Sequence, residues 1–287
     1  MGTPCDLQLF ARNSSAAQKV ADIAIQDIQR LEMKYSRYRD DSLLSEINRV
    51  ADLGGSIIVD DETAGLLNYA DACYQQSGDL FDISSGLLRK AWRFDKGELP
   101  AQSLISSLLE RVGWEKVKWS PPELTFLVPN MELDFGGIVK EYAADRVVTL
   151  CQQAGCRQGL INLGGDVKIV GPRMDGQPWR IGIAHPRDKH ALLASLALHQ
   201  GAVASSGDYE RCIIMDGKRY SHVLNPKTGW PVGYLTSVTV VSDHCVIAGS
   251  ASTIAMLKAE QGPAWLKDLG LPHIWTDIKG RQGGSLT

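Results

Sequence analysis

Apolar residues recur along this chain in helical and in strand-like rhythms, broken at intervals by glycine. Val20, Ala24, Ile28 and Leu31 follow Asn13-Ser14-Ser15 at helical spacing, which predicts a long amphipathic helix with its N-cap in that polar triplet. A second helix is expected behind Ser42, carrying Ser45-Glu46-Ile47-Asn48. A third uses Leu66, Ala70 and Cys73 and stops near Gly78, and a fourth covers 103–112. Strands are expected at 5–11, 117–119 and 124–128, the last two divided by Pro121-Pro122. Residues 80–86 read as a polar loop and 95–103 as a surface connection.

Residues 133–140 form a strand, a turn through Gly136-Gly137 and a helix start, because Val139, Ala143, Val147 and Leu150 continue at helical spacing until Gly155. Residues 160–167 repeat the device around Gly164-Gly165, but a second strand follows the glycines. A dinucleotide fingerprint is excluded here, since GxGxxG spacing is absent and no helix follows. Strands at 179–183 and 202–209 precede a hairpin turned by Asp216-Gly217, which delivers His222. A buried strand at 238–242, helices at 246–257 and 263–269 and a strand at 273–276 close the chain.

Four strand ends thus combine small residues with polar groups: Asp134 with Lys140, Asp166, Ser206 with Asp208, and His222 with Thr228. Each has a structural reading as a tight turn, and a lone histidine is usually a satisfied structural residue. Together they favour a ligand site, in which a divalent cation such as Mg²⁺ sits between carboxylate, hydroxyl and phosphate oxygens. Ser252 and Thr253, in a helix rich in small residues, serve either close packing or a metal or phosphate. Tyr35 or Tyr38 is either a packing anchor or a platform for a flat ring.

Composition narrows the picture. The 287 residues are 44% hydrophobic and 22% charged, enough for one large domain over 1–287 or two intimate subdomains with a cleft between them. A net charge of −3 gives no sign of a nucleic-acid binder, and no apolar run is long enough to span a membrane. The start of the chain has neither the basic nor the apolar region of a signal peptide, so a cytoplasmic protein is expected. Six scattered cysteines without CxxC spacing read as buried free thiols in a reducing compartment.

Taken in order, several segments resemble one family, the FAD:protein FMN transferases or ApbE family. They are Met1-Gly2-Thr3, Tyr35-Ser36-Arg37-Tyr38 with Asp41-Ser42 and Asn48, Phe81-Asp82, the stretch 133–140, Asn162-Leu163-Gly164-Gly165-Asp166, Ser205-Ser206-Gly207-Asp208-Tyr209, the stretch 222–229, and Ser252-Thr253. The resemblance covers nearly the whole chain and implies an α+β fold of mixed sheets covered by helices. It also implies an activity: with Mg²⁺, the FMN half of FAD moves to a threonine or serine hydroxyl of a target flavoprotein and AMP leaves. By motif position, Tyr38 would lie on the isoalloxazine ring, with Met1, Leu80, Phe81, Asp82, Asp134, Lys140, Asp166, Val223 and Thr228 lining the FAD site. His222, Asp208 and Lys140 would act in catalysis, and Gly137, Ser252 and Thr253 would hold the metal.

One departure lies in that metal site, and two others lie outside it. The family usually reads Ala-Asp-Ala-x-Ser-Thr where this chain has Ala248-Gly249-Ser250-Ala251-Ser252-Thr253, so the expected carboxylate ligand is Gly249. Lys140-Glu141 replaces the usual Lys-Gly, and Asn225 the commoner Asp. Water, phosphate or another acid such as Asp208 or Asp243 would then have to complete the site. An FAD hydrolase and a catalytically silent FAD-binding protein are the alternative readings.

Overall fold

The computed structural model describes residues 3–188 and 190–286, so the expected role of Met1 lies outside the described residues. The chain runs β1 (Cys5–Phe10), α1 (Ser14–Tyr35), α2 (Leu43–Leu53), β2 (Gly55–Ile58), α3 (Asp61–Ser77), a 3-10 helix (Ile83–Lys90) and α4 (Gln102–Leu109). It continues through β3 (Val117–Ser120), β4 (Glu123–Phe126), α5 (Val139–Gln153), β5 (Gln158–Leu163), β6 (Asp166–Gly171), β7 (Trp179–Ala184) and β8 (Leu192–Leu198). Last come β9 (Ala202–Gly207), β10 (Cys212–Met215), β11 (Lys218–Ser221), β12 (Leu235–Ser242), α6 (Cys245–Leu257), α7 (Gly262–Asp268), β13 (His273–Asp277) and β14 (Gln282–Gly284).

Helix starts follow the local chemistry. The Asn13 side chain accepts from the Ala16 N–H, Ser42 from Ser45 and Asp60 from Thr63, each satisfying a first-turn donor. Gly78 ends α3 in the left-handed conformation, at φ +72°. Helix α6 lacks a cap of its own; Asp145 of α5 accepts from the N–H groups of Cys245 and Val246, at 2.8 and 2.9 Å, and ties the two helices together.

Seven strands form the main sheet in the order β1-β5-β6-β9-β12-β13-β14, and every ladder in it is antiparallel. Helices α5 and α6 cover one face, where Ile161, Ala202, Ala204, Val238 and Val240 join a core that reaches from Val20 in α1 to Leu266 in α7. Alternate residues Leu160, Val167, Ile169 and Val203 point the other way, onto the β7–β8 hairpin through Trp179, Ile183 and Leu196. Burial on both faces explains why these strands read as nearly continuous apolar runs. A three-stranded sheet, β2-β4-β3, and the β10–β11 hairpin flank the body.

The expected strand at 133–135 does not form. Leu133 is fully buried, which accounts for the apolar signal, but its N–H and C=O are taken by the Asn48 side chain of α2 at 2.8 and 3.0 Å. One side-chain amide replaces a strand partner, and the Asp134 N–H reaches Ile83 O at 2.8 Å. Much of the expected loop at 80–86 winds into the 3-10 helix, because the Asp82 carboxylate caps it through the Ser84 N–H at 2.7 Å.

Candidate functional site

Three of the polar strand ends named above, those of Asp134 with Lys140, Asp166 and Ser206, meet near the N-terminus of α5. Gly136 and Gly137 are exposed in the turn before it, and the Gly136 N–H donates to Asp134 Oδ1 at 2.8 Å. Arg37, from the loop after α1, forms an ion pair with Asp134 and packs its guanidinium 4.9 Å from the centre of the Tyr38 ring. Tyr38 itself is 78% exposed, so its ring is open to solvent rather than anchored in the core; Tyr35 is buried and packs edge-on against Phe135. Hydrogen bonding from Arg37 lowers the Tyr38 hydroxyl pKa.

Lys140 reaches across from α5 to the Asp166 carboxylate, just past the Gly164-Gly165 turn. Both turn glycines have positive φ, +62° and +96°, which lets β5 return directly as β6 and puts Asp166 at the cleft wall. Asp166 Oδ1 also accepts from the Ser205 N–H at 3.1 Å. Although burial pulls the Lys140 ammonium down, the Glu141 and Asp166 carboxylates outweigh it and raise its pKa, so the lysine stays charged.

One residue along β9, the Ser206 hydroxyl lies 2.8 Å from Ser252 Oγ and 2.9 Å from Thr253 Oγ1 of α6. Ser252 Oγ donates to the Gly249 carbonyl at 2.9 Å. Neutral hydroxyls aligned beside carboxylates make an oxygen-rich surface, of the kind hard divalent cations and phosphates accept.

Asp208 follows at the end of β9 and is 4% exposed. Both its oxygens are held by Arg187, at 2.6 and 2.7 Å. Asp243 lines a cavity beside the C-terminal half of α5, away from this cleft. His222 leaves β11 with its N–H on Arg211 O at 3.0 Å and its Nδ1 3.3 Å from the same carbonyl. Its ring keeps an exposed edge, yet loss of hydration to the surrounding atoms lowers its pKa, favouring the neutral form.

The 222–229 loop is pinned to the loop after α3 by the Lys227 ammonium, 3.0 Å from Gly78 O. Thr228 is exposed, with its Oγ accepting from the Trp230 N–H at 3.2 Å. Phe81 is buried beneath Gly137, where a Cβ would lie 3.4 Å from its ring. Asp82 serves the backbone with both oxygens, through Ser84 N–H and, at 3.0 Å, Trp114 N–H; burial raises its pKa despite those bonds. Sequence reasoning gave no role to Arg37, Arg187 or Asn48. Their partners lie 97, 21 and 85 residues away, beyond the reach of any periodicity.

A cavity of about 1000 Å³ lies elsewhere, lined by Arg146, Lys168, His199 and Asp243 among others. Most of its charged groups are already engaged: Asp145 caps α6, Arg146 bonds Asp27 and Lys168 bonds the Asp243 carbonyl. The cleft at the α5 N-terminus is therefore the better candidate. Among the described residues, no group of three or more His, Cys, Asp or Glu side chains is placed to hold a metal. Among the described residues no helix is long and apolar enough to cross a membrane, and the six cysteines are free thiols.

Known proteins resemble this chain in sequence and in fold. A curated FAD:protein FMN transferase of Klebsiella pneumoniae is 32% identical over 274 residues, spanning 93% of this chain and 83% of the relative. The crystal structure of an ApbE protein of Thermotoga maritima superposes with a TM-score of 0.91 at 28% identity, covering 99% of this chain and 94% of that one. The apo flavinyl transferase ApbE of Pseudomonas stutzeri gives 0.86 at 27% identity, covering 98% and 90%. The model of the ApbE family matches residues 1–275, and the chain belongs to that family.

Proposed function

We propose that this chain transfers the FMN half of FAD to a threonine or serine hydroxyl of a target flavoprotein, releasing AMP. The observation that carries the reading is the meeting of Lys140, Asp166, Ser206, Ser252 and Thr253 in one cleft, within a chain related to FAD:protein FMN transferases. The exposed Tyr38 ring offers a face for the isoalloxazine. Asp134, Val223, Thr228 and the 80–82 loop surround the rest of FAD, and Lys140 neutralises pyrophosphate charge.

In the transfer, the acceptor hydroxyl oxygen bonds to the FMN-side phosphorus. The bond from that phosphorus to the bridging oxygen breaks, and AMP leaves with the electron pair. The hydroxyl proton passes to His222, whose Nε2 is free as acceptor when Nδ1–H faces Arg211 O. Asp208, locked by Arg187, holds a fixed negative charge beside His222 that stabilises the ring once protonated.

The oxygen donors fit a hard cation, and a buried Glu141 oxygen without a hydrogen-bond partner supports a positive charge there. Mg²⁺ would be held by the Gly137 carbonyl and the Ser252 and Thr253 oxygens, and when bound would neutralise charge on the pyrophosphate. Free thiols throughout support a reducing compartment, and we place the protein in the cytoplasm.

The test is incubation with FAD, Mg²⁺ and a candidate flavoprotein. A covalent fluorescent product with equimolar AMP is expected, and His222→Asn should reduce its rate by roughly 10²–10⁴-fold while FAD still binds. AMP release without acceptor would show hydrolysis instead, and FAD binding with no AMP from any acceptor would show a silent binder.

A further inference from the structure

Glu141 sits on the first turn of α5 and is almost wholly buried, at 6% exposure. Its Oε1 lies 3.5 Å from the Lys140 ammonium, and its Oε2 is buried without a hydrogen-bond partner. Its side chain presses against Gly249 of α6. A Cβ built there would meet Glu141 Cγ at 2.5 Å, Cδ at 3.0 Å and Oε1 at 3.2 Å. Gly249 is not among the positive-φ glycines, so this space, rather than its backbone conformation, accounts for the glycine. The Glu141 carboxylate fills the volume that a side chain at position 249 would use.

That volume borders the oxygen-rich surface of the cleft. Ser252 Oγ donates to the Gly249 carbonyl, and Ser206 joins Ser252 to Thr253. The Asp166 carboxylate lies close enough to interact directly with Glu141, and Lys140 is the ammonium between them. With one ammonium between two buried carboxylates, Glu141 Oε2 still has no hydrogen-bond partner, a position that a divalent cation would satisfy.

We infer that Glu141 supplies the carboxylate ligand of the divalent cation in this cleft, delivered from α5 instead of from position 249 on α6. The inference rests on the metal-dependent reading above and deepens it. It also unites two of the departures from the family pattern: the acid absent at Gly249 and the acid present at Glu141 are one exchange between facing helices. Neither Asp208 nor Asp243 is needed to complete the site.

The experiment is titration of Mn²⁺ into the purified full chain, with and without FAD, read by the loss of free-ion electron paramagnetic resonance signal. Glu141→Gln, which keeps the shape, should weaken Mn²⁺ by at least about tenfold while FAD fluorescence quenching persists as a check on folding. Glu141→Gly with Gly249→Asp moves the carboxylate to the other helix and should bring Mn²⁺ affinity back to within about threefold of wild type. Wild-type Mn²⁺ affinity in Glu141→Gln would overturn the inference and leave the metal reading intact. No Mn²⁺ binding by the wild-type chain in either condition would overturn both.

Discussion

Gly249 and Glu141 share one space between α5 and α6, so that a single added carbon at Gly249 would come within 2.5 Å of Glu141 Cγ. Gly249→Ala is therefore expected to lower stability by about 1–3 kcal/mol, the usual cost of overpacking, although alanine favours a helix. Gly249→Asp alone should be at least as costly and should not improve metal binding. Thermal unfolding checks both: the melting temperature should fall in Gly249→Ala and recover when Glu141→Gly is added.

Asn48 holds both backbone groups of Leu133 and so fixes the turn that carries Asp134 and Gly137. Asn48→Leu leaves a buried N–H and C=O without partners, and a loss of about 1–3 kcal/mol in urea unfolding is expected. FAD affinity should fall as well, since the turn loosens where the ligand would sit. Unchanged stability would mean that water replaces the amide.

Arg187 grips Asp208 through two hydrogen bonds, and that contact raises the arginine pKa. Removing it by Arg187→Met strands a carboxylate that is 4% exposed. The expected cost is roughly 2 kcal/mol, below the value for fully buried pairs because the Arg187 side chain is 38% exposed. Arg187→Lys should recover only part, having no fork to offer, whereas Arg187→Met with Asp208→Asn should recover more. Chemical denaturation of the four proteins tests the order.

Glu62 binds Arg30 and Lys34 of α1 and the Tyr142 hydroxyl of α5. Bonding from Arg30 outweighs burial and holds its pKa at about 2, below the ordinary 4.5. Its folded-state pKa is depressed, so its contribution is complete above about pH 4.5 and is lost as the pH falls towards 2. Allowing for solvent screening, that contribution is on the order of 1–2 kcal/mol. Glu62→Gln should lower stability at pH 7 and flatten its decline between pH 4.5 and 2, as followed by circular dichroism.

Most of the helices could be read from the sequence because their signals are local. Asn13, Ser42 and Gly78 each act within a few residues of the helix end they mark. The hairpins at Gly164-Gly165 and Asp216-Gly217 were equally legible, since their turns need residues that tolerate positive φ. Leu133 was misread because burial, not strand pairing, selects its apolar neighbourhood. Strands β2, β8 and β14 passed unnoticed: β2 and β14 are only four and three residues long, and the turn at Asp188 that precedes the apolar run of β8 went unread. At the site, sequence could show an acid lost at Gly249 and one gained at Glu141, but not that the two occupy the same space.

The edge of the main sheet carries a consequence for synthesis. Among the described residues, strand β1 pairs only with β5, Cys5 lying opposite Leu163. A ribosome must therefore deliver more than half the chain before the first strand has its partner, a delay of roughly ten to thirty seconds at ordinary elongation rates. During that interval α1, α2 and α3 can form by local contacts, while β1 presents an unpaired edge open to chaperones or to other nascent chains. The cleft assembles later still, because α6, which supplies Ser252 and Thr253, follows β12 in the chain.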